Sequence, residues 1–445
     1  MGEATQDEQG FDAIVVGTGP GGATVARELA RRGARVLVLE RGSDAPVRGT
    51  LAQAVRWLGM PGESLLLTTG GLPITRGVTL GGSSVFYYAT AYEPPLADFD
   101  RLGIDLRPAL AETRAELPIG PLGDRLMGPM SRRIMGSARA LGLDWNPLDK
   151  LIDQQHCRTE CWRCGYGCPY GAKWTTRLYV EDAVAHGAVL RADARVRRVL
   201  VRDGAAYGVE YTAGGAVHRA LARQVILSAG GIGTPEILRK SGVEGVGKAF
   251  FIDPLIAVFG FVDDASGGPG PGGTRRVAGR EVPMSAGVRL ASEGYVMTDM
   301  TLPPALFRAM ALARGRLWRL GQHDRALTIM VKIKDDLGGS IAPSGRIRKP
   351  LTAADRAKLD HGYAQARAIL AGAGASGIFR SNVLAAHPGG TAKIGETVDV
   401  NLQTRLANLY VCDCSVIPEA WGLPPTLTLI CLAKRLAGAL AAGER

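Results

Sequence analysis

Four cysteines fall within twelve residues, Cys157, Cys161, Cys164 and Cys168, with Pro169 after the last. Their spacing, three residues, then two, then three, lets four thiolates wrap a compact metal centre. An iron–sulfur cluster of the 3Fe–4S or 4Fe–4S type is the first reading and a zinc ion the second. A metal-free loop or a redox-sensitive disulfide is the alternative. Near the start of the chain, Gly17, Gly19 and Gly22 follow the apolar run 13–16, and Glu40 stands eighteen residues beyond the last of them. Gly17 allows a tight turn, Gly19 admits a pyrophosphate to the backbone, and Gly22 lets the next helix lie close to the strand. An acid at Glu40 can accept hydrogen bonds from both ribose hydroxyls of an adenosine. This is the chemistry of dinucleotide binding.

That chemistry needs a strand, a turn and a helix in register. Residues 13–16 read as a buried parallel strand. Val25, Ala26, Leu29 and Ala30 recur at helical spacing until Gly33, and 35–39 read as a second strand ending in Glu40. The stretch 42–69 has no period and is expected to loop over the cofactor. Gly81, Gly82, Ser83 and Ser84 suit a second pass of main chain along a phosphate or a flavin ring. Further on, 194–211 read as a hairpin turning at Asp203-Gly204, 224–228 as a buried strand, 230–240 as a helix, and 426–442 as an apolar helix after Pro424-Pro425. Between these, 263–273 read as a flexible loop, and 288–290, 294–298 and 327–331 as strands of an antiparallel sheet. Leu302, Leu306, Met310, Ala313, Leu317 and Leu320 recur at helical spacing, with Arg308 and Arg319 elsewhere on the wheel. Packing or a substrate-channel wall is the expectation for this helix, ahead of a membrane-surface role.

Hydrophobic residues at 46% and charged residues at 21% describe a globular chain with no run long enough to span a membrane. The first ten residues lack the basic and apolar regions of a secretory signal, so the expected compartment is the cytoplasm. Net charge is +11, but the basic residues are scattered and no nucleic-acid motif accompanies them, so a nucleic-acid partner is not expected. Cys412, Cys414 and Cys431 lack ligand spacing and read as small buried residues.

Arg76, Gly77, Leu80 and 81–84, followed by Asp98 and Asp100, form a block that resembles the R-G-x-x-L-G-G-S-S … D-Y-D signature of the glucose-methanol-choline (GMC) family of FAD oxidoreductases. The run 227–235 resembles the family's second signature. His387-Pro-Gly-Gly-Thr391, 408–418 and 425–428 resemble its C-terminal block. Together these cover roughly half the chain and leave out 249–380. The resemblance implies a mixed α/β fold. A Rossmann-like FAD-binding domain would be built from the discontinuous segments 11–95, 185–248 and 385–442. A connecting segment, 96–184, would carry the cysteines, and a substrate domain, 249–384, would carry a mainly antiparallel sheet. Cofactor contacts are then expected from Gly17, Gly19, Pro20, Gly22, Glu40, Arg41, Gly81, Gly82, Ser83, Ser84, Val196, Ala229, Gly230, Asp413, Pro425 and Thr426.

By the same resemblance His387 occupies the position of the family's active-site histidine. It would act as base for a hydroxyl proton while hydride passes to flavin N5, a role that suits a neutral imidazole. Where the family places a second histidine or asparagine, this chain has Pro424 and Pro425, and Tyr87 stands in for another usual asparagine. Tyr87, Tyr88 and Trp421 are the candidates to line the pocket, with Tyr87 and Trp421 as partners of His387. The segment 168–172 also resembles the cluster-bearing stretch of FAD sugar dehydrogenases of this family, whereas other members with a similar stretch have no known metal. The function implied is an FAD-dependent dehydrogenase of a hydroxyl-bearing small molecule, with electrons leaving through the cysteine-bound cluster to a redox partner protein or a quinone. A redox-neutral lyase and a flavin electron-transfer subunit are the rival readings.

Overall fold

The computed structural model describes residues 8–263, 266–269, 275–277 and 280–443. A seven-stranded sheet holds the nucleotide motif. Val189–Arg191, Val36–Leu39, Glu8–Val16 and Ala216–Leu227 lie side by side in that order, all parallel, and Leu409–Val411 pairs parallel with the last of them. Ala205–Ala213 and Arg195–Arg202 extend the sheet antiparallel. Val15 sits opposite Val38 on one side and Ile226 on the other. Residues 13–16 and 36–39 are buried throughout, as strands covered on both faces must be.

The helix Pro20–Arg31 starts directly after the first strand, and close main-chain contact explains its glycines. Gly17 turns with φ +98°, and a Cβ on it would lie 2.3 Å from the Ser228 carbonyl oxygen. One on Gly22 would lie 2.1 Å from the Gly17 oxygen, so the helix could not pack this close with any larger residue. Gly21, to which the motif assigns no role, is tighter still, at 1.8 Å from the Cys412 oxygen.

The second sheet has nine strands. Pro254–Phe261 and Ala326–Ile333 form its centre, flanked by Tyr295–Asp299 and Ala286–Leu290 on one side and by Leu384–Ala385, Pro73–Thr75 and Leu65–Leu67 on the other. Pairing is antiparallel except between Leu384–Ala385 and Pro73–Thr75. The period of two sorts its central residues into two cores. Ile256, Val258, Leu327, Ile329 and Val331 pack under the helix Ala353–Gly372, which Thr352 and Asp355 close with a reciprocal cap. Leu255, Ala257, Phe259, Phe261 and Met330 face the other way, onto Met284, Met300, Phe307 and Leu384. Burial of both faces is why residues 258–262 alternate only weakly in sequence.

Several local expectations need correction. The featureless stretch 42–69 contains the helix Leu51–Leu58, whose first turn is capped by the Thr50 hydroxyl accepting from Gln53 N–H. The strand expected at 224–228 is the twelve-residue Ala216–Leu227. Within the expected loop 263–273, Ser266–Pro269 pairs with Arg275–Val277, while 264–265 and 270–274 lie outside the described residues. The helix read from 302 to 320 ends at Ala313, where Gly315 turns at φ +66°, so Leu317 and Leu320 share no face with Leu306.

Gly21→Ala should therefore cost roughly 1–3 kcal/mol of stability, the usual penalty for overpacking a close contact. Urea unfolding measures it, and an unchanged midpoint would mean that the helix shifts away from Cys412 freely.

Candidate active site

Thr18, the residue between Gly17 and Gly19, is fully buried and joins four segments. Its N–H and hydroxyl both donate to Glu40 Oε2, at 3.0 and 2.6 Å. Its hydroxyl oxygen accepts from Gly81 N–H at 2.8 Å, and its carbonyl accepts from the Thr176 hydroxyl at 2.8 Å. Glu40 also takes Gly42 N–H on Oε1 at 2.8 Å. Both oxygens of Glu40 already serve the turn, so ribose hydroxyls would share them rather than have them alone. Burial raises the Glu40 pKa, opposed by these donors.

The cradle beyond Thr18 is open. Gly19 caps the helix Pro20–Arg31 without a side-chain partner, and Pro20 fills the first helical position, where a missing N–H costs nothing. A Cβ on Gly19 would meet nothing within 4 Å, and one on Gly82 would come only within 3.4 Å of Gly19 Cα. A helix N-terminus facing free space between two glycine loops fits a pyrophosphate. Ser83 and Ser84 do not face this space with free hydroxyls. Ser83 accepts from Gly77 N–H at 2.9 Å, and Ser84 donates to the Gly81 oxygen at 2.6 Å and contacts Thr176. Val196 lines a cleft of about 220 Å³ with Arg195, Arg197, Thr212, Glu236, Ile237 and Lys240. Beside it Arg41 pairs with Glu63 at 2.9 Å, and burial with the nearby Arg41 charge lowers Arg76 to about 10. Clustered, desolvated guanidinium groups favour an anionic ligand. Asp413 accepts Gly230 N–H at 2.8 Å and also bonds the Thr234 hydroxyl, while Ala229 N–H donates to Thr234 Oγ1. The C-terminal segment is thereby clasped to the start of the helix Gly230–Lys240. Pro425 and Thr426 open the helix Thr426–Ala442, again with no side-chain cap. These residues fit an FAD.

His387 follows the short strand Leu384–Ala385 of the second sheet. Its Nδ1 lies 3.0 Å from Asp253 Oδ2, which fixes the ring and leaves Nε2 for another partner. Asp253 is 1% exposed and holds φ +44°, a left-handed conformation rare outside glycine. That strain is held by the buried Asp335, which accepts Asp253 N–H at 3.0 Å and is itself paired with buried Lys349 at 2.9 Å. Lys332, 1% exposed, projects from the face of Ala326–Ile333 that carries Met330, and its ammonium group has no ion pair or hydrogen bond among the described residues. Burial lowers it to about 8 against the pull of Asp253. Burial and then Lys332 lower the His387 pKa, opposed by Asp253, so the ring is neutral at neutral pH.

Two residues expected beside His387 are placed differently from each other. Tyr87 donates its hydroxyl to the Trp174 carbonyl at 2.8 Å, and its ring lies 5.2 Å from Lys173 Nζ, which gives it a structural partner in place of a reacting one. Trp421 packs edge-on against Phe99 at 5.5 Å, and its indole N–H has no partner among the described residues. The next residue, Gly422, lies against the end of Ala326–Ile333, with Lys334 N 2.9 Å from a Cβ on it. Asp253, Lys332 and Asp335 were missed from sequence. Their signal was an aspartate before a proline and a lysine inside an otherwise apolar strand.

Cys157, Cys161, Cys164 and Cys168 line one void with Ile152, Tyr170, Ala172, Lys173 and Val282. No three of the four sulfurs lie within 4.8 Å of one another. Four thiolates on one zinc ion, at ~2.3 Å each, would stand ~3.8 Å apart. Burial raises the Cys164 pKa, and the buried ammonium groups of Lys173 and Lys150 oppose it. Lys173 Nζ donates to Val85, Tyr87 and Cys164 carbonyls at 2.6, 2.9 and 2.8 Å. One cation thus ties the cysteine loop to the segment that follows Gly81–Ser84. The remaining cysteines 412 and 431 are buried, and Cys414 is partly buried.

Residues 11–255 match the N-terminal model of the GMC oxidoreductase family, and 340–433 match its C-terminal model. A long-chain-alcohol oxidase of Arabidopsis thaliana is 24% identical across 97% of this chain and 68% of its own length. An uncharacterised protein of Methanocaldococcus jannaschii is 25% identical across 96% of this chain and 98% of its own. Among solved structures, pyridoxine 4-oxidase from Mesorbium loti superposes with a TM-score of 0.73 at 16% identity, covering 97% of this chain and 99% of that one. Formate oxidase of Aspergillus oryzae gives 0.71 at 18%, covering 99% of each chain.

Thr18→Val keeps the shape of the side chain and strands Gly81 N–H and Glu40. It should cost roughly 1–3 kcal/mol of stability and loosen the cofactor. Flavin release on dilution measures the second effect, and unaltered retention would mean that Thr18 does not hold the two loops together.

Proposed function

The chain belongs to the GMC oxidoreductase family and is an FAD-dependent oxidoreductase acting on CH–OH groups, and we propose that it dehydrogenates an apolar alcohol with His387 as base. The observation that carries this is the His387–Asp253 pair, a neutral imidazole oriented by a buried carboxylate where the two sheets meet. His387 Nε2 would take the hydroxyl proton. FAD bound in the glycine cradle supplies the acceptor for the hydride that leaves the carbinol carbon. Lys332 lies within electrostatic reach of the same place and keeps His387 from charging prematurely. The preference for an apolar substrate rests on Leu255, Met330, Met300 and Leu302, which fill the same face of the second sheet as Lys332. Similarity to a long-chain-alcohol oxidase supports it.

We further propose that the four cysteines hold a 3Fe–4S or 4Fe–4S cluster, in preference to zinc, and that a protein or quinone acceptor follows. The spacing of the four cysteines in sequence, their shared void and two buried lysines beside Cys164 support this reading. A bound cluster supplies one-electron transfer. Lys173 holds its loop against residues 85–87, close to the glycine loop of the cofactor cradle.

His387→Ala with full flavin content should reduce its flavin roughly 10²–10⁴-fold more slowly in anaerobic stopped flow with an alcohol. The wild-type rate should be flat at high pH and fall as pH drops through a pKa below 6.5, where the imidazole gains a proton. Asp253→Asn removes a partner that favours the charged ring, so its acidic limb should move to lower pH while the plateau rate drops. A reduction rate unchanged in His387→Ala removes the base from this site.

Anaerobically purified protein should contain several irons and acid-labile sulfides per chain, all lost in a Cys161→Ser, Cys164→Ser variant. Absence of iron in the wild type, with full flavin, would make 157–168 a structural loop.

A further inference from the structure

The helix Pro304–Ala313 and the turn Leu317–Arg319 after it use only part of their apolar surface inside the protein. Phe307, Met310 and Ala311 are buried in the cluster that also contains Phe259, Met300, Leu302 and Met330. The remaining large apolar side chains point outward. Leu306 is 39% exposed, Leu312 57%, Leu317 59% and Trp318 62%, and every residue from 312 to 318 is exposed. Leu312, Leu317 and Trp318 fall within one exposed stretch of seven residues, which is more than the scattered exposure normal for a soluble surface.

The charges within the segment have one sign. Arg308, Arg314, Arg316 and Arg319 surround these residues, and no Asp or Glu occurs between Asp299 and Asp324. The arginines are committed to carbonyls, amides and rings, with no carboxylate partner among the described residues. Arg308 donates to the Leu320 oxygen, Arg314 to Asn382, Arg319 to Gln322, and Arg316 lies 5.5 Å from the Trp318 ring. Exposed leucines and a tryptophan interspersed with arginines that have no carboxylate partner among the described residues match the two layers of an anionic bilayer surface: acyl boundary for the first, phosphate for the second. The inner side of the same helix is continuous with the apolar face that carries Lys332.

We propose that residues 306–319 dock this protein on anionic lipid surfaces, so that an alcohol dissolved in the bilayer enters from the side of the molecule seated there. The docking surface stands on its own observations. The entry of the alcohol rests on the apolar-alcohol reading above.

The test is co-sedimentation of the FAD-loaded protein with vesicles of phosphatidylcholine alone or mixed with phosphatidylglycerol. Wild type should pellet with the mixed vesicles, be released by salt, and stay free of the neutral ones. Arg314→Gln with Arg316→Gln should weaken binding roughly 30-fold, at about 1 kcal/mol per arginine. Leu312→Ser, Leu317→Ser, Trp318→Ser should abolish it while keeping flavin content and turnover of a short soluble alcohol. Turnover without vesicles reports on the catalytic reading separately: its failure leaves the vesicle result intact. Wild type that ignores anionic vesicles, or a triple variant that binds them as well as wild type, overturns the proposal. Self-association of the wild type that the triple variant loses, with no vesicle binding, would assign this face to a second copy of the chain.

Discussion

A single buried hydroxyl at Thr18 sets the distances on which the cofactor cradle depends. It lies where the first strand turns into the first helix and meets Glu40 at the end of the second strand and the Gly81 loop, while the carbonyl of the same residue takes the Thr176 hydroxyl from the segment after the cysteines. Buried polar groups that lose such partners are costly, so the four segments are held in one arrangement rather than many. Glycines on either side let them come close enough: a Cβ at 21 or 22 would be forced into the main chain of Cys412 or Gly17. The open helix N-terminus at Gly19 is the result.

The second sheet contributes orientation. The buried pair Lys349–Asp335 is weak evidence for stability, because desolvating both charges costs about what their attraction returns. Its effect is positional. Asp335 grips the main chain at 252 and 253, which holds Asp253 in a left-handed turn and points its carboxylate at His387. Among the described residues, Asp253 Oδ1 has no partner, and Lys332, which feels the Asp253 charge, makes no ion pair. Unmet electrostatic demand of this kind is characteristic of sites built for a ligand rather than for packing.

The cysteine loop is anchored to the cofactor side by the same device of a buried lysine satisfied by carbonyls. Lys173 binds Val85, Tyr87 and Cys164 oxygens, and Lys150 binds those of Pro283 and Met284 at 2.9 and 3.0 Å. Two cations placed close to four thiols in a low-dielectric setting compensate negative charge more strongly than surface lysines could. They also join the cofactor cradle, the cysteines and the second sheet into one continuous interior.

Local spacing was enough to determine the nucleotide half. Strand, turn and helix at 13–31, the hairpin at 203–204 and the helix 426–442 follow from periodicity and glycine placement, which act over a few residues. The cysteine run stood out by its spacing, whereas His387 stood out only through the resemblance of its segment to a family block. The short helix at 51–58 was not legible, since its exposed Leu51 and Val55 carry no core pattern, and the long helix to 320 was overextended because period alone does not register the Arg314-Gly315 stop. What surrounds His387 was decided only by tertiary structure. Asp253, Lys332 and Asp335 come from strand ends separated by up to 134 residues from the histidine, and they meet because a nine-stranded sheet brings those ends together. Spacing encodes contacts between near neighbours, whereas the partner of a buried charge is set by which strands pair.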